Sequence, residues 1–434
     1  MNKMINTIGI KTERAGGRIV PANKSYKISV SKLVALIIMT FSFMGGYSIF
    51  TGSAGTIRWA VFYYGRFALM MLYAFYSYGK RTKKNERSVI NWINKHTIIP
   101  LIVMFLWTIC IWIIKGTHFR FITRGISDLI FLSGACISGA FLAKVLGKDA
   151  LRYGLMAAIF TMVLSSIIGL GSMGGEFFTT LYRVENRYVE LHEALFVIGL
   201  YLVCFALSDG FFNNQKNKIY FGVGCLAFII GGKRIGFAGL MVSLCIGLFV
   251  KHRKAKTQEA IIKVIGIGMI AFTIAYIWLS VTGELDLLFA RYNINMMNRN
   301  IIYNYFRKFC DFSPTFLGHG LGFVGRQFDY ATRDDLYNMI SIRALHNDYF
   351  KMYLEIGFVG TLCWVTYWLR TLPNKLKKKI GLSGSCLVFC LIMYAFITYT
   401  TDNTAGYFNF QMHLVMLITV IMTNIQSKKI ISVK

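Results

Sequence analysis

Long apolar segments, separated by shorter polar ones, recur along almost the whole chain of 434 residues. An apolar segment of about 17–25 residues has the length that crosses a bilayer as an α-helix. The pattern predicts twelve such spans, at residues 33–50, 58–79, 98–114, 120–143, 151–170, 194–208, 218–231, 235–250, 262–282, 346–369, 382–400 and 407–424. The predicted fold is an all-α polytopic membrane bundle of about twelve transmembrane helices.

One long polar segment, residues 283–345, interrupts this pattern in the second half of the chain. Its first part, Leu285–Phe309, has the spacing of an amphipathic helix that lies along the membrane surface. The predicted organisation is a basic tail at residues 1–32, one transmembrane domain at 33–425 that carries this loop, and a second tail at 426–434. The first half has no matching loop, which weighs against a transporter built from two related halves.

The amino-acid composition supports a membrane protein and bears on which partners and metals it can bind. The chain is 55% hydrophobic and 15% charged, whereas soluble domains average about 45–50% and about 25%. The net charge of +29 does not predict a nucleic-acid partner, because basic residues beside membrane spans usually report topology. The loop cysteine Cys310 has no partner in the loop and CxxC spacing is absent, so neither a disulfide framework nor a metal site is predicted.

The basic residues are distributed unevenly between alternate loops. One set of loops, which includes both tails, carries 31 of the 48 lysines and arginines, and the positive-inside rule makes this set cytoplasmic. Of those 31, 24 are lysines, whereas 13 of the other 17 are arginines. Arginine presents a planar fork that matches phosphate and carboxylate. The outer side, with residues 283–345, is therefore predicted to recognise an anionic group; ordinary loop usage is the alternative.

Histidine and arginine supply the candidate chemistry of this outer side. His346 and Asn347 open the tenth span at the membrane interface, where a histidine can accept the proton of a sugar hydroxyl. A lone histidine is more often a hydrogen-bonding residue of the structure. Arg291 and Arg299 lie on the predicted amphipathic helix, and Arg343 lies just before His346.

Arg234 occupies a different place, the short outer turn GGKRIG between two spans. It faces either a cavity or, by snorkelling, the lipid phosphates. Lys351 and Glu355 lie one turn apart in the tenth span and predict an internal ion pair. Isolated outer candidates are Arg183, Arg187, His192, Glu193 and Asp402. No carboxylate cluster suits a divalent metal, and no P-loop, GxSxG or HExxH motif supports a hydrolase.

Three pieces of the sequence carry a family resemblance. The segment RNIIYNYFRKFCDFSPTFLGHGLG places Arg299, Tyr303, Pro314, Gly318 and Gly320 in one order, HNDYFKMYLEIGFVG begins at His346, and GGKRIGFAGL begins a span. In this order and spacing the chain resembles the O-antigen and capsular polysaccharide polymerases (Wzy-type) and the related O-antigen ligases. It departs from their pattern at Tyr303, where tryptophan is usual, and at Lys233, where serine is usual.

The resemblance implies a GT-C-like fold and a metal-independent, inverting glycosyltransferase without a cofactor. The donor would be an undecaprenyl-pyrophosphate-linked oligosaccharide on the outer face of a bacterial plasma (inner) membrane, with both termini cytoplasmic. It implies that Arg299 and Arg234 hold the pyrophosphate, that Arg291 assists, and that His346 activates the acceptor hydroxyl. Arg343, Asn347 and Tyr303 would contact the substrate. Membrane lipids, a flippase and a chain-length regulator are the other expected partners.

Four functions remain open at this stage. A polymerase extends O-antigen, capsule or exopolysaccharide on its lipid carrier, and a ligase moves the finished glycan to a different acceptor. A lipid-linked-oligosaccharide flippase would move substrate without forming a bond, and it leaves the long one-sided loop unexplained. A non-catalytic sensor or assembly protein would retain its function after loss of Arg299 or His346.

Overall fold

The computed structural model describes residues 29–52, 56–79, 84–177, 188, 191–208, 215–296, 298–331 and 344–432. All regular structure in these ranges is helical. The α-helices are α1 Val30–Met44, α2 Ser48–Thr51, α3 Ile57–Gly79, α4 Lys84–Lys115, α5 Phe119–Leu146, α6 Ala150–Met173, α7 His192–Leu207, α8 Gln215–Gly231, α9 Arg234–Lys251, α10 Ala255–Thr282, α11 Glu284–Arg291, α12 Arg299–Arg307, α13 Phe323–Ala331, α14 Asp348–Thr366, α15 Leu372–Thr398 and α16 Phe408–Ser432.

Six helical runs in the described residues are long and apolar enough to cross a membrane. Two of them, Phe119–Met173 and Asp348–Thr398, each contain two of the predicted spans. A straight helix of 55 residues would be about 80 Å long, against a hydrocarbon core of about 30 Å. The two runs are interrupted at Gly147 (φ 55°) and Gly381 (φ 81°), between the predicted spans. The predicted all-α polytopic membrane fold is confirmed.

One connection predicted as a polar loop, residues 370–379, is helical instead. A π-helical turn at Tyr367–Thr371 continues α14 directly into α15. Leu372, Leu376 and Ile380 recur every fourth residue and are all buried, so this polar stretch has an apolar face that packs as a helix. The lysines between them occupy the opposite side, which is why a hydropathy window alone missed the helix.

Helix α7 lies at the centre of the bundle. Residues 193–205 are all buried, and the helix packs against α6, α8, α9, α15 and α16. Its first turn brings two polar residues, His192 and Glu193, to one end of the bundle. Glu193 accepts a hydrogen bond from the backbone N–H of Asn409 (2.6 Å) and lies 3.7 Å from the buried guanidinium of Arg66. This end is therefore held together by a buried polar network.

The long loop attaches to α14 where that helix is broken. Gly357 has φ 70° and ψ −171°, so the carbonyls of the preceding turn lose their helical partners. The backbone N–H groups of His319 and Gly320 donate to the carbonyls of Leu354 and Glu355 at 2.9 and 2.7 Å. A third bond joins the N–H of Phe358 to the Phe316 carbonyl. The glycines of the loop motif and of α14 thus form one backbone clamp.

Alanine at Gly318 should destabilise this clamp. Gly318 has φ 84°, and a Cβ there would lie 2.5 Å from the Glu355 carbonyl oxygen and the Gly357 nitrogen. Both the left-handed backbone and the backbone collision oppose a side chain, so we expect Gly318→Ala to lower the free energy of unfolding by about 2–4 kcal/mol. Thermal unfolding of the purified protein in detergent measures the change. Gly222→Ala is the control, because that helical glycine faces open space; equal melting temperatures for the two variants would refute the clamp.

The single amphipathic helix predicted at Leu285–Phe309 is wrong. The structure has two helices there, α11 and α12, separated by residues 292–298. Asn293 (φ 52°) and Asn298 (φ 63°) both adopt the left-handed conformation, which asparagine tolerates better than most residues. Arg291 therefore ends one helix and Arg299 begins the next, and the two do not share a helical face.

Candidate functional site

His346 lies immediately before α14 in a constrained backbone conformation. Its φ is 50°, an uncommon value for a residue with a side chain, and such residues concentrate at functional sites. The side-chain oxygen of Asn403 accepts a hydrogen bond from the His346 backbone N–H at 3.1 Å. The Asn403 amide nitrogen lies 3.4 Å from His346 Nδ1. The connection between α15 and α16 thus fixes both the backbone and the ring.

Asp402 is the charged partner of this ring. Its side chain is buried, and its Oδ1 lies 3.8 Å from His346 Nδ1 while Oδ2 lies 3.5 Å from His192 Nδ1. Oδ1 also accepts hydrogen bonds from the Asn403 N–H (2.8 Å) and the Tyr407 hydroxyl (2.6 Å). Burial raises the pKa of Asp402, but the two histidines and Lys233 lower it further, so the net pKa lies well below its ordinary value. The carboxylate is therefore ionised at neutral pH.

Asn347 and Tyr303 hold His346 in place. Asn347 caps α14, because its Oδ1 accepts from the Phe350 N–H at 3.0 Å, and its amide donates to Ser280 Oγ at 3.1 Å. Tyr303 is buried, and its hydroxyl donates a long hydrogen bond of 3.5 Å to the His346 carbonyl oxygen. Burial raises the pKa of Tyr303 to about 12, so it remains a neutral donor. The hydrogen bonds of Asn347 and Tyr303 to other protein groups thus fix the backbone on either side of the His346 ring.

Arg299 reaches the same neighbourhood from α12. The charge of Arg299 acts on two tyrosines, Tyr276 and Tyr303. The Tyr303 hydroxyl donates to the His346 carbonyl, and the Tyr276 hydroxyl donates to the Thr400 carbonyl at 2.7 Å. Arg299 Nε is buried and has no hydrogen-bond partner in the described residues. Buried donors without a partner are rare and costly. A guanidinium in this state fits an anion.

A neighbouring arginine shows the contrast. Arg307, two turns further along α12, donates through Nε to the Ser280 carbonyl at 2.7 Å and through NH1 to Asp286 at 2.7 Å. These bonds tie α12 to the end of α10 and to α11. Arg307 is thus held by these two protein acceptors, although its NH2, like Arg299 Nε, is buried without a hydrogen-bond partner in the described residues.

The other predicted residues lie at different degrees of exposure. Arg234 is exposed at the first position of α9, whereas the preceding Lys233 is half-buried and its charge acts on Asp402. Arg291 is exposed at the end of α11. Arg343, Arg183 and Arg187 lie outside the described residues. Among the described candidates, the structure brings together Arg299, His346, Asn347 and Tyr303, and the charge of Lys233 also acts on the Asp402 carboxylate.

Lys351 and Glu355 do not form the direct ion pair predicted from their spacing. Both line a cavity of about 80 Å³ beside the site, together with Asp128 and Asp348. The Glu355 carboxylate accepts instead from the Val324 N–H at 3.2 Å, at the start of α13. The Glu355 carboxylate is therefore hydrogen-bonded to the long loop rather than paired directly with Lys351. Lys351 lies in a cavity with three acidic residues, Asp128, Asp348 and Glu355.

Sequence reasoning named Asp402 and His192 only as isolated positions and did not name Asn403. The sequence offers one indication that they belong with His346. Residues 401–406 form an outer connection in the predicted topology, on the same side as residues 283–345. Which of several outer polar residues meet, however, depends on how α15 and α16 pack against α14.

The fold and the site define a polytopic membrane protein with an arginine, a histidine and a carboxylate gathered at one end of a helical bundle. Residues 219–365 match the family model described as O-Antigen ligase, so the resemblance to the O-antigen ligase/polymerase superfamily is confirmed. The matched region contains Arg299 and His346. No curated protein matches the chain significantly. The match covers about a third of the 434 residues, so the chain is similar to this family over that region.

Proposed function

We propose that this chain is a polysaccharide polymerase of O-antigen, capsule or exopolysaccharide synthesis. It transfers a glycan from undecaprenyl pyrophosphate to a hydroxyl of another lipid-linked repeat unit. The observation that carries the proposal is the presence, in one neighbourhood, of the buried Arg299 Nε, which has no hydrogen-bond partner in the described residues, and the His346–Asp402 pair. An anion holder and a proton acceptor are the two groups that this transfer requires.

The reaction is a single displacement without a metal. The acceptor hydroxyl oxygen attacks the anomeric carbon, the bond from that carbon to the pyrophosphate oxygen breaks, and the configuration inverts. The hydroxyl proton passes to His346 Nε2, since Nδ1 faces Asp402 and Asn403. Arg299 stabilises the negative charge that grows on the leaving pyrophosphate, and Lys233, Arg234 and Arg291 add positive charge.

The site is proposed to face the outside of a bacterial plasma membrane, with both termini in the cytoplasm. The support is the lysine-rich set of loops, which carries 31 of the 48 basic residues and lies opposite residues 283–345 in the predicted topology. A flippase that delivers the lipid-linked unit and a regulator of chain length are the partners that this reaction sequence requires.

A ligase is the second candidate, because the description of the matching family is O-Antigen ligase. The two share their chemistry and differ in the acceptor. Purified protein incubated with lipid-linked repeat units alone should give a ladder of lengthened products if it is a polymerase. Products that form only after a different acceptor is added would establish the ligase and overturn the polymerase.

Asparagine at Asp402 should slow the transfer by removing the charge that orients His346. Carboxylates that orient metal-bound histidines are worth about 10–100-fold in activity, and we expect a loss of similar size for Asp402→Asn. The initial rate of glycan transfer at matched protein abundance measures it. Asp329→Asn is the control, because that carboxylate pairs with Arg326 near the surface. An unchanged rate for Asp402→Asn would show that the Asp402 charge does not contribute to the transfer and that Asn403 alone suffices to orient the ring.

A further inference from the structure

A groove lies between α4 and α14, and none of the residues of the candidate site line it. Its volume is about 370 Å³, and most of its lining is apolar. Ile99, Val103 and Val359 line it and are 45%, 58% and 48% exposed. Lys95 and Trp107 mark its extent along α4; twelve residues of helix span about 18 Å, close to the thickness of one leaflet of the hydrocarbon core.

Each of the two helices that line this groove has a backbone carbonyl without its helical partner, and a side chain satisfies each one. Pro100 lies inside α4 and has no N–H to donate to the His96 carbonyl. The Tyr367 hydroxyl donates to that carbonyl instead, at 2.8 Å. On the facing helix, the break at Gly357 leaves the Ile356 carbonyl free, and Trp107 Nε1 donates to it at 2.9 Å. These two hydrogen bonds join α4 to the α14 side of the groove and so fix the two helices relative to each other.

Positive charge is confined to one end of the groove. Lys95 and Lys375 are both exposed there, beside His96. The Lys375 ammonium lies 5.6 Å from the centre of the Tyr367 ring. No carboxylate is among the residues that line the groove. An apolar trough of leaflet depth with two lysines at its rim is complementary to one kind of molecule, a lipid with an anionic head.

We propose that this groove binds an anionic phospholipid. Its acyl chains lie along Ile99, Val103 and Val359, and its phosphate lies between Lys95 and Lys375. In the predicted topology these lysines are at the cytoplasmic end, so the lipid comes from the leaflet opposite the catalytic site. The site is therefore separate from the one that holds the lipid-linked glycan, and its occupancy does not depend on the proposed function.

Binding can be measured by native mass spectrometry of the full chain with phosphatidylglycerol or phosphatidylcholine. We expect one phosphatidylglycerol to be retained in preference to phosphatidylcholine. Each lysine near an anionic headgroup contributes about fivefold in affinity, so Lys95→Ala/Lys375→Ala should weaken phosphatidylglycerol binding by about 25-fold. Lys254→Ala/Lys256→Ala, at exposed positions before and within the first turn of α10, should leave it unchanged. Equal binding of both lipids, or equal losses in both double variants, would overturn the proposal.

A groove-filling variant tests the apolar part. Val359→Trp should abolish retention of the lipid, whereas Val264→Trp, at a 68% exposed position of α10 outside the groove, should not. Retention by Val359→Trp would overturn the proposal. Because a variant can fail to fold, the unmodified protein provides a second measurement. Cys363 lines the groove and is exposed, and Cys245 is exposed elsewhere; phosphatidylglycerol should slow maleimide labelling of Cys363 alone.

Two further additions distinguish other occupants. Inorganic phosphate should not protect Cys363, because it cannot fill the apolar trough; protection by phosphate alone would reduce the site to an anion site and overturn the lipid. Undecaprenyl phosphate should compete poorly with phosphatidylglycerol. If it displaced the phospholipid at equal concentration, the groove would belong to the polyprenyl carrier and the proposal would be wrong.

Discussion

Lysine in place of Arg299 should lower the rate of glycan transfer by about 10²–10³-fold, the range measured when one preorganised donor to a developing negative charge is removed. Lysine keeps the charge but not the fork, so it cannot make two parallel hydrogen bonds to a pyrophosphate. The position is sensitive because Arg299 Nε is buried and has no protein partner among the described residues. A diphosphate bound there would satisfy this donor without breaking a hydrogen bond of Nε to a described residue.

The measurement is the initial rate with a lipid-linked donor at matched protein abundance. Arg326→Lys is the matched control, because Arg326 on α13 also has a buried Nε without a partner in the described residues, but its NH1 pairs with Asp329 at 2.9 Å. Inhibition by inorganic pyrophosphate gives an independent readout, and Arg299→Lys should weaken it. A rate within twofold of the unmodified protein, with unchanged inhibition, would show that Arg299 does not bind the pyrophosphate.

The helical framework could be predicted because hydropathy is a local property. Each apolar segment becomes a helix wherever the bilayer leaves no other way to satisfy its backbone. The errors fall where local pattern and local backbone preference conflict. Residues 285–309 have a helical pattern, yet two asparagines in the left-handed conformation divide them. Residues 370–379 read as a loop, yet three buried residues at helical spacing keep them helical.

The clamp between the loop and α14 illustrates what the sequence could not supply. The glycines at 318, 320 and 357 stand out in the sequence, but their partnership depends on a helix that breaks inside an apolar segment. No local rule predicts that the carbonyls of Leu354 and Glu355 in a spanning helix will accept hydrogen bonds from His319 and Gly320, each 35 residues earlier in the chain. Such breaks are tolerated in a membrane only where the backbone is buried in protein, which is a property of the assembled bundle.

The candidate site divides along the same line. Arg299 and His346 could be chosen from residue type, position at an interface and resemblance. Asp402 could not be ranked above Glu193, since both are single acids on the outer side. Packing separates them: Glu193 is taken by Arg66 and the Asn409 backbone, whereas Asp402 stands between two histidines. The sequence shows which polar residues are present. The packing of α14, α15 and α16 determines which of them lies beside the His346 ring.

Alanine in place of His346 should lower glycan transfer by about 10²–10⁴-fold, the contribution expected of a positioned general base. The structure also offers a structural explanation for such a loss, because the His346 backbone is held at φ 50° by Asn403 and Tyr303. Those contacts use the backbone N–H and carbonyl of His346, which any side chain retains. Removal of the imidazole therefore tests proton transfer more than folding.

His346→Gln separates the two explanations. Glutamine can hydrogen-bond Asp402 and Asn403 but cannot accept and release a proton at neutral pH, so a general base predicts that it is as inactive as alanine. A purely structural histidine predicts that glutamine restores most of the rate. His252→Ala, at an exposed position after α9, controls for the loss of an imidazole elsewhere. Because the proton acceptor and the pyrophosphate holder serve one transition state, His346→Ala/Arg299→Lys should lose less than the product of the two single losses; independent, multiplying losses would mean that the two residues do not act on the same step.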